Sequence, residues 1–261
     1  MLRAMNAAAS GMEAQETRMD LIANNLANVN TTGYKKVRGE FQDLLYDEVR
    51  APAQPTDGTT GTPTGLQVGL GVRTVGTQRQ FTMGDLKQTG NALDIAIEGN
   101  GFFQLTLPSG QLAYTRDGSF KVDALGRMVN ADGHSLDPGL TLPKDARGIT
   151  INADGTVSVT QGDDTSPTEV GKIDLASFAN PAGLEPLGHN LFTATPASGD
   201  PLYGTPGREG LGALAQGFLE TSNVKVVEEM IDLIATQRAY ETNSKVIQAA
   251  DEMLRATSAL K

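Results

Sequence analysis

The chain has 261 residues and a mass of 27.4 kDa, with 30 Gly, 12 Pro, 0 Cys, 0 Trp and a formal net charge of −10 at pH 7. The length suits one or two domains at about 150 residues each. Without cysteine there is no disulfide framework, no thiolate metal site and no cysteine nucleophile; without a run of about 18 apolar residues there is no transmembrane helix, and the acidic balance opposes nonspecific binding to nucleic acid or anionic lipid. Every glycine except Gly11 lies between Gly33 and Gly217, and every proline between Pro52 and Pro206. Both residue types weaken helices. The composition therefore predicts a helix-friendly start, a turn-rich middle and a helix-friendly end.

The first element is a helix over about Leu2 to Asn28. Leu2, Met5, Ala9, Met12, Met19, Ala23 and Leu26 follow the a/d spacing of a coiled-coil seam. Asn6, Ser10 and Glu13 interrupt any signal-peptide apolar core, so no cleaved secretory signal is expected. The helix ends at Gly33, after four Asn within Asn24–Asn30. Phe41 to Tyr46 predict a short ordered piece. Ala51 to Gly65 form an extended Pro/Thr/Gly-rich linker, and Val68, Leu70 and Val72 alternate as a strand.

The middle reads as antiparallel β. Leu93, Ile95 and Ile97 alternate before Gly99-Asn100-Gly101, and Phe103, Leu105 and Leu107 follow. Asp117-Gly118 predicts a hairpin between Leu112–Arg116 and Phe120–Val122; Asn152–Gly155 predicts another between Ile149–Ile151 and Val157–Val159. Val170, Ile173, Leu175 and Phe178 predict one further strand. The final element is a helix of about 35 residues, or about 50 Å. It starts at Ser222 or Asn223 as N-cap and carries Val227, Met230, Ile231, Ile234, Ile247, Ala250, Met253 and Leu254 at helical spacing.

The expected fold class is α+β. The long N- and C-terminal helices pair as a coiled-coil assembly domain, residues 1–32 and 221–261. An extended linker or bridging region spans 33–76, and a mainly antiparallel β domain spans 77–220. Each helix has an apolar stripe wider than one partner covers, which argues for burial against other chains.

Sites of chemistry are weak. His134, Ser135 and Asp137 hold the residue types of a triad but sit among turn signals. Asn130–Gly133 and Asn152–Gly155 lack calcium-loop spacing, and Gly69, Gly71 and Gly76 do not make a dinucleotide loop. No catalytic residue, metal or cofactor is expected. A two-carboxylate polysaccharide hydrolase or a trimeric adhesin remain the rival classes; zero Trp leaves few sugar-stacking platforms.

Asn24-Asn25-Leu26-Ala27-Asn28 with Thr31-Thr32-Gly33-Tyr34 resembles the N-terminal signature of bacterial flagellar rod and hook proteins. Glu98–Phe103, Tyr114–Phe120, and Thr221–Val224 with Gln237–Glu241 resemble further stretches of that family, in order along the chain. Asp43–Tyr46, the linker and Pro63–Gly69 resemble an insertion of its distal-rod members. The resemblance implies a self-assembling structural protein of the basal body, not an enzyme. It implies a rigid rod across the periplasm that carries motor torque to the hook. It implies export through the flagellar type III apparatus without a cleaved signal. It implies as partners the chain itself, proximal rod proteins, the hook protein and the P-ring and L-ring proteins, with no nucleic acid. Another rod or hook subunit is the nearest alternative. The expected assembly residues are Asn24, Asn25, Leu26, Asn28, Thr31, Gly33, Tyr34, Val227, Met230, Ile234, Tyr240, Ile247 and Leu254.

Overall fold

The computed structural model describes residues 2–50, 64–143, 145–161 and 167–259. It opens with helix α1 (Leu2–Ala27) and closes with helix α2 (Val226–Ala259). The region between them is mostly antiparallel β, so the fold is α+β. Among the described residues no helix is long and apolar enough to cross a membrane. The chain divides into two compact units. The first holds Met1–Leu26, Val37–Gln78 and Lys225–Lys261; the second holds Ala27–Lys36 and Arg79–Val224. Most of the expected bridging region thus falls with the helices.

In the helical unit, strand β1 (Val37–Asp43) pairs with β4 (Val72–Arg79), and β2 (Tyr46–Arg50) pairs antiparallel with β3 (Leu66–Gly69). Val68 to Val72 is therefore not one strand. It breaks at Gly71, whose φ is +120° and where a Cβ would lie 2.2 Å from Ser10 Oγ. Only glycine combines that backbone with that approach. Residues 51–63 of the predicted linker lie outside the described residues.

The two helices of this unit meet through small and polar side chains. Gly11 lies beside Asn243, Arg18 reaches Asp232 at 3.4 Å, and Asn25 reaches Glu229 at 3.3 Å. The stripe that α1 buries is Ala8, Ala14, Ile22 and Asn25. The predicted seam is rotated from it: Met5, Met12, Met19 and Leu26 are half-buried, and Ala9 and Ala23 are exposed. On a neighbouring side of α1, Gly71 sits against Ala7 and Ser10, and Gly39 against Leu21.

The β-rich unit is built around a seven-stranded antiparallel sheet. Its order is Glu185–Gly188, Leu191–Thr193, Leu112–Thr115, Phe103–Thr106, Ser135–Leu136, Met128–Val129 and Lys121–Val122. Phe103 faces Thr115, Leu105 faces both Ala113 and Leu136, and Phe192 faces Tyr114. Ile97, Phe103, Leu105, Phe120, Val157 and Leu175 fill the main core. Phe102, Tyr114, Phe178 and Phe192 form a second cluster, with edge-to-face rings such as Tyr114–Phe178 at 4.8 Å. Ile95, Ala96 and Ile97 are all buried, because Ile95–Glu98 pairs with Ala213–Gln216 and both its faces are covered.

The Asn152–Gly155 hairpin forms as expected, with Ile151 opposite Val157. The Asp117-Gly118 hairpin does not. Both neighbours of Leu112–Thr115 are already taken, by Phe103–Thr106 and Leu191–Thr193. The chain instead crosses at Gly118, whose carbonyl accepts from Ile95 N at 3.0 Å. Val170 to Phe178 likewise splits into Thr168–Lys172 and Leu175–Ser177, in different sheets. A Cβ on Gly118 would lie 1.6 Å from Ile95 O. Gly118→Ala must therefore push two strands apart, and we expect it to lower the denaturant midpoint by the equivalent of about 2 kcal/mol. An unchanged urea transition would refute the crossing.

Candidate assembly site

Helix α2 has two opposed faces. At about 100° per residue, Glu229, Thr236 and Ala250 share one side, and all are buried. Val227, Met230, Ile231 and Ile234 share the other, and they are 70%, 51%, 61% and 50% exposed. This inverts the usual amphipathic pattern, in which the apolar stripe faces inward. Farther along, that outer face carries Arg238, Glu241, Lys245 and Glu252, all exposed. On that face the exposed apolar residues lie in the first turns, while Val246 and Met253 are exposed farther along the helix on other sides of it. Of the other expected residues, Tyr240 is exposed, Ile247 and Leu254 are half-buried, and Asn24 is exposed.

Asn25 is used inside the helical unit. Its Nδ2 donates to Val37 O at 2.9 Å and its Oδ1 accepts from Val37 N at 3.0 Å. One amide side chain thereby acts as a strand neighbour and fixes where β1 starts. Leu26 is half-buried.

The remaining signature residues belong to the β-rich unit. Asn28 Oδ1 accepts from Thr31 Oγ1 at 3.2 Å, and Tyr34 N donates to Thr31 O at 3.3 Å. Gly33 has φ +67°, and its N donates to Glu220 O at 2.9 Å. A Cβ there would lie 2.7 Å from Asp117 N, so this turn needs glycine for both conformation and space. Tyr34 is buried under the Arg79 guanidinium, 5.7 Å from its ring centre.

Beside that turn lies a buried charge cluster. Lys35, with 0% of its side chain exposed, pairs with Glu220 and donates to Thr82 O at 2.8 Å. Glu220 Oε1 also accepts from Gly84 N at 2.8 Å. Arg116 Nη1 lies 3.5 Å from Glu220 Oε2, and its guanidinium stacks 5.3 Å from the Phe102 ring centre. Burial pulls the Lys35 ammonium below the ordinary lysine range, against the Glu220 carboxylate, which pulls it back up. Burial lowers Arg116 in the same sense. Next to it, Asn223 Oδ1 accepts from Lys36 N at 2.7 Å while Nδ2 donates to Gln80 O at 2.9 Å. Asn223 therefore ties three segments together rather than capping α2; Ser222 Oγ accepts from Val224 N at 3.3 Å.

Sequence reasoning missed Lys35, Arg116 and Glu220. The signal was present only as charge adjoining each signature: Lys35 follows Tyr34, Arg116 sits inside Tyr114–Phe120, and Glu220 precedes Thr221. The triad residue types are dispersed. Asp137 Oδ2 accepts from Gln104 at 2.5 Å, and His134 N is held by Asn130 Oδ1 at 2.8 Å.

Residues 5–35 match the family described as flagella basal body rod protein, 96–159 the flagellar hook protein FlgE/F/G D1 domain, and 215–260 the flagellar basal body rod FlgEFG protein C-terminal region. The chain is 48% identical to the flagellar basal-body rod protein FlgG of Borreliella burgdorferi, covering 100% of this chain and 99% of that one. The chain belongs to the flagellar basal-body rod protein family. It is 46% identical to the FlgG of Caulobacter vibrioides, over 100% of both chains, and 36% identical to that of Bacillus subtilis, again over 100% of both. A rod-protein origin accounts for the ordered signatures. It also gives a context for an apolar helix face left in water.

Proposed function

We propose that this rod-family chain is an axial subunit that self-assembles helically into the rigid distal rod and transmits motor torque across the periplasm to the hook. The observation that carries the reading is the exposed patch of Val227, Met230, Ile231 and Ile234, opposite the face that α2 buries. An apolar patch of this kind marks a surface for another protein. In this reading residues 1–32 and 221–261 supply the assembly core, 33–76 bridges neighbouring subunits, and 77–220 forms the outer domain. Val227, Met230, Ile234 and Tyr240 are contact residues. Asn25 sets the start of β1, Gly33 and Tyr34 shape the turn of the β-rich unit, and Asn24, Leu26, Asn28, Thr31, Ile247 and Leu254 complete the set. Proximal rod proteins, the hook protein and the P-ring and L-ring proteins are the partners. The type III apparatus exports the chain without a cleaved signal.

Electron microscopy of the purified chain at high concentration tests the reading. Straight, open-ended rods are expected, because a heterologous interface that does not close on itself grows without limit. A persistent monomer or a closed ring would overturn it.

A further inference from the structure

The buried cluster of the β-rich unit is unbalanced: Lys35 and Arg116 share one carboxylate, Glu220. Arg116 is only 2% exposed, yet its Nε is buried without a hydrogen-bond partner among the described residues. A buried guanidinium N–H left unpaired is costly, and such groups are rare enough to need a reason. Arg116 also lines a pocket of about 380 Å³. Phe81, Phe102, Phe178 and Pro181 form apolar walls, and Ser177 and Ala179 lie at its lining as well. No Asp or Glu is among the lining residues.

We propose that this pocket receives a carboxylate side chain from a second copy of the chain. A guanidinium takes a planar carboxylate with two parallel hydrogen bonds. Aromatic and proline walls suit the short apolar stem of Glu or Asp. The carboxylate supplies the missing negative charge and an acceptor for Arg116. The second copy is favoured by charge: the chain has 31 Asp and Glu against 21 Lys and Arg, so each subunit presents an excess of carboxylates to its neighbours. The inference rests on helical self-assembly and names one contact within it.

Arg116→Gln leaves Lys35 and Glu220 paired one to one, so the β-rich unit stays folded. The critical concentration for rod growth rises by at least about tenfold, the loss of the charge-assisted hydrogen bonding that the guanidinium supplies. Ala179→Phe, which narrows the pocket without touching the cluster, raises it in the same direction. Should Arg116→Gln unfold, Ala179→Phe alone decides. A high-resolution map of the rod shows the occupant directly, and a carboxylate of another subunit at Arg116 supports the assignment. A pocket open to water, filled by a neutral side chain or holding a free anion overturns it while leaving self-assembly intact. Absence of any rod overturns self-assembly, and this contact with it.

Discussion

Glu220→Ala lowers the stability of the β-rich unit by about 3–5 kcal/mol, the usual consequence of removing one partner from a buried ion pair. Two cations are left with no counter-charge. Among the described residues Lys35 then has only Thr82 O as an acceptor, and Gly84 N loses the Glu220 oxygen that accepts from it. A loss of that size is a large part of the 5–15 kcal/mol that holds a typical domain. Lys35→Met is milder, because Glu220 still has Arg116 and Gly84 N. Replacing Lys35, Arg116 and Glu220 together by apolar residues of similar volume recovers most of the loss, since the cost lies in stranded charge and not in missing bulk. Urea unfolding followed by circular dichroism gives the three values. A Glu220→Ala loss under about 1 kcal/mol, the range of an exposed pair, would show that the cluster is solvated in solution.

Met230→Glu or Ile234→Glu abolishes rod growth and leaves the monomer's unfolding transition in place. In the isolated chain both side chains are half in water, so a carboxylate there changes stability by no more than about 0.5 kcal/mol. In an interface between subunits the same carboxylate is desolvated without a partner, a penalty of several kcal/mol at each junction. A helical polymer repeats the junction at every subunit, so the penalty cannot be avoided by rearranging one contact. Lys245→Gln, on the same face but beyond the apolar patch, serves as the control and still polymerises. Sedimentation of concentrated protein separates the outcomes. Pelletable rods from either Glu variant would remove the patch from the assembly surface.

The helices, the antiparallel character of the middle and the Asn152–Gly155 hairpin were legible because each is written in local patterns. Gly71 and Gly118 show where locality failed. Each sits at a crossing whose partner, Ser10 or Ile95, is remote in sequence, so a turn signal or an alternation was mistaken for the whole local fold. The seam on α1 failed for a related reason. Periodicity ranks positions by hydropathy, while burial follows which side of the helix meets the rest of the unit, so Ala8 and Ala14 are inward and Met12 only partly. The family signatures were readable as strings, but the tasks of their residues were not. Asn25 works as a strand neighbour to Val37, 12 residues on, and Asn223 as a clamp on Lys36, 187 residues away; neither role shows in the string itself. Lys35 and Glu220 are 185 positions apart, and no spacing rule joins them.

That separation bears on how the chain folds in time. Lys35 and Gly33 are both completed by Glu220, and Lys36 by Asn223. The turn at the start of the β-rich unit therefore has no stable end state until the last residues before α2 are free to join it. Long-range closures of this kind are late events, because chain entropy is lost before contacts are gained. A chain shortened before residue 220 lacks the only carboxylate that Lys35 contacts among the described residues. Such a unit matures from both ends at once. Its opening turn therefore waits on its closing strand, whatever the core between them has already done.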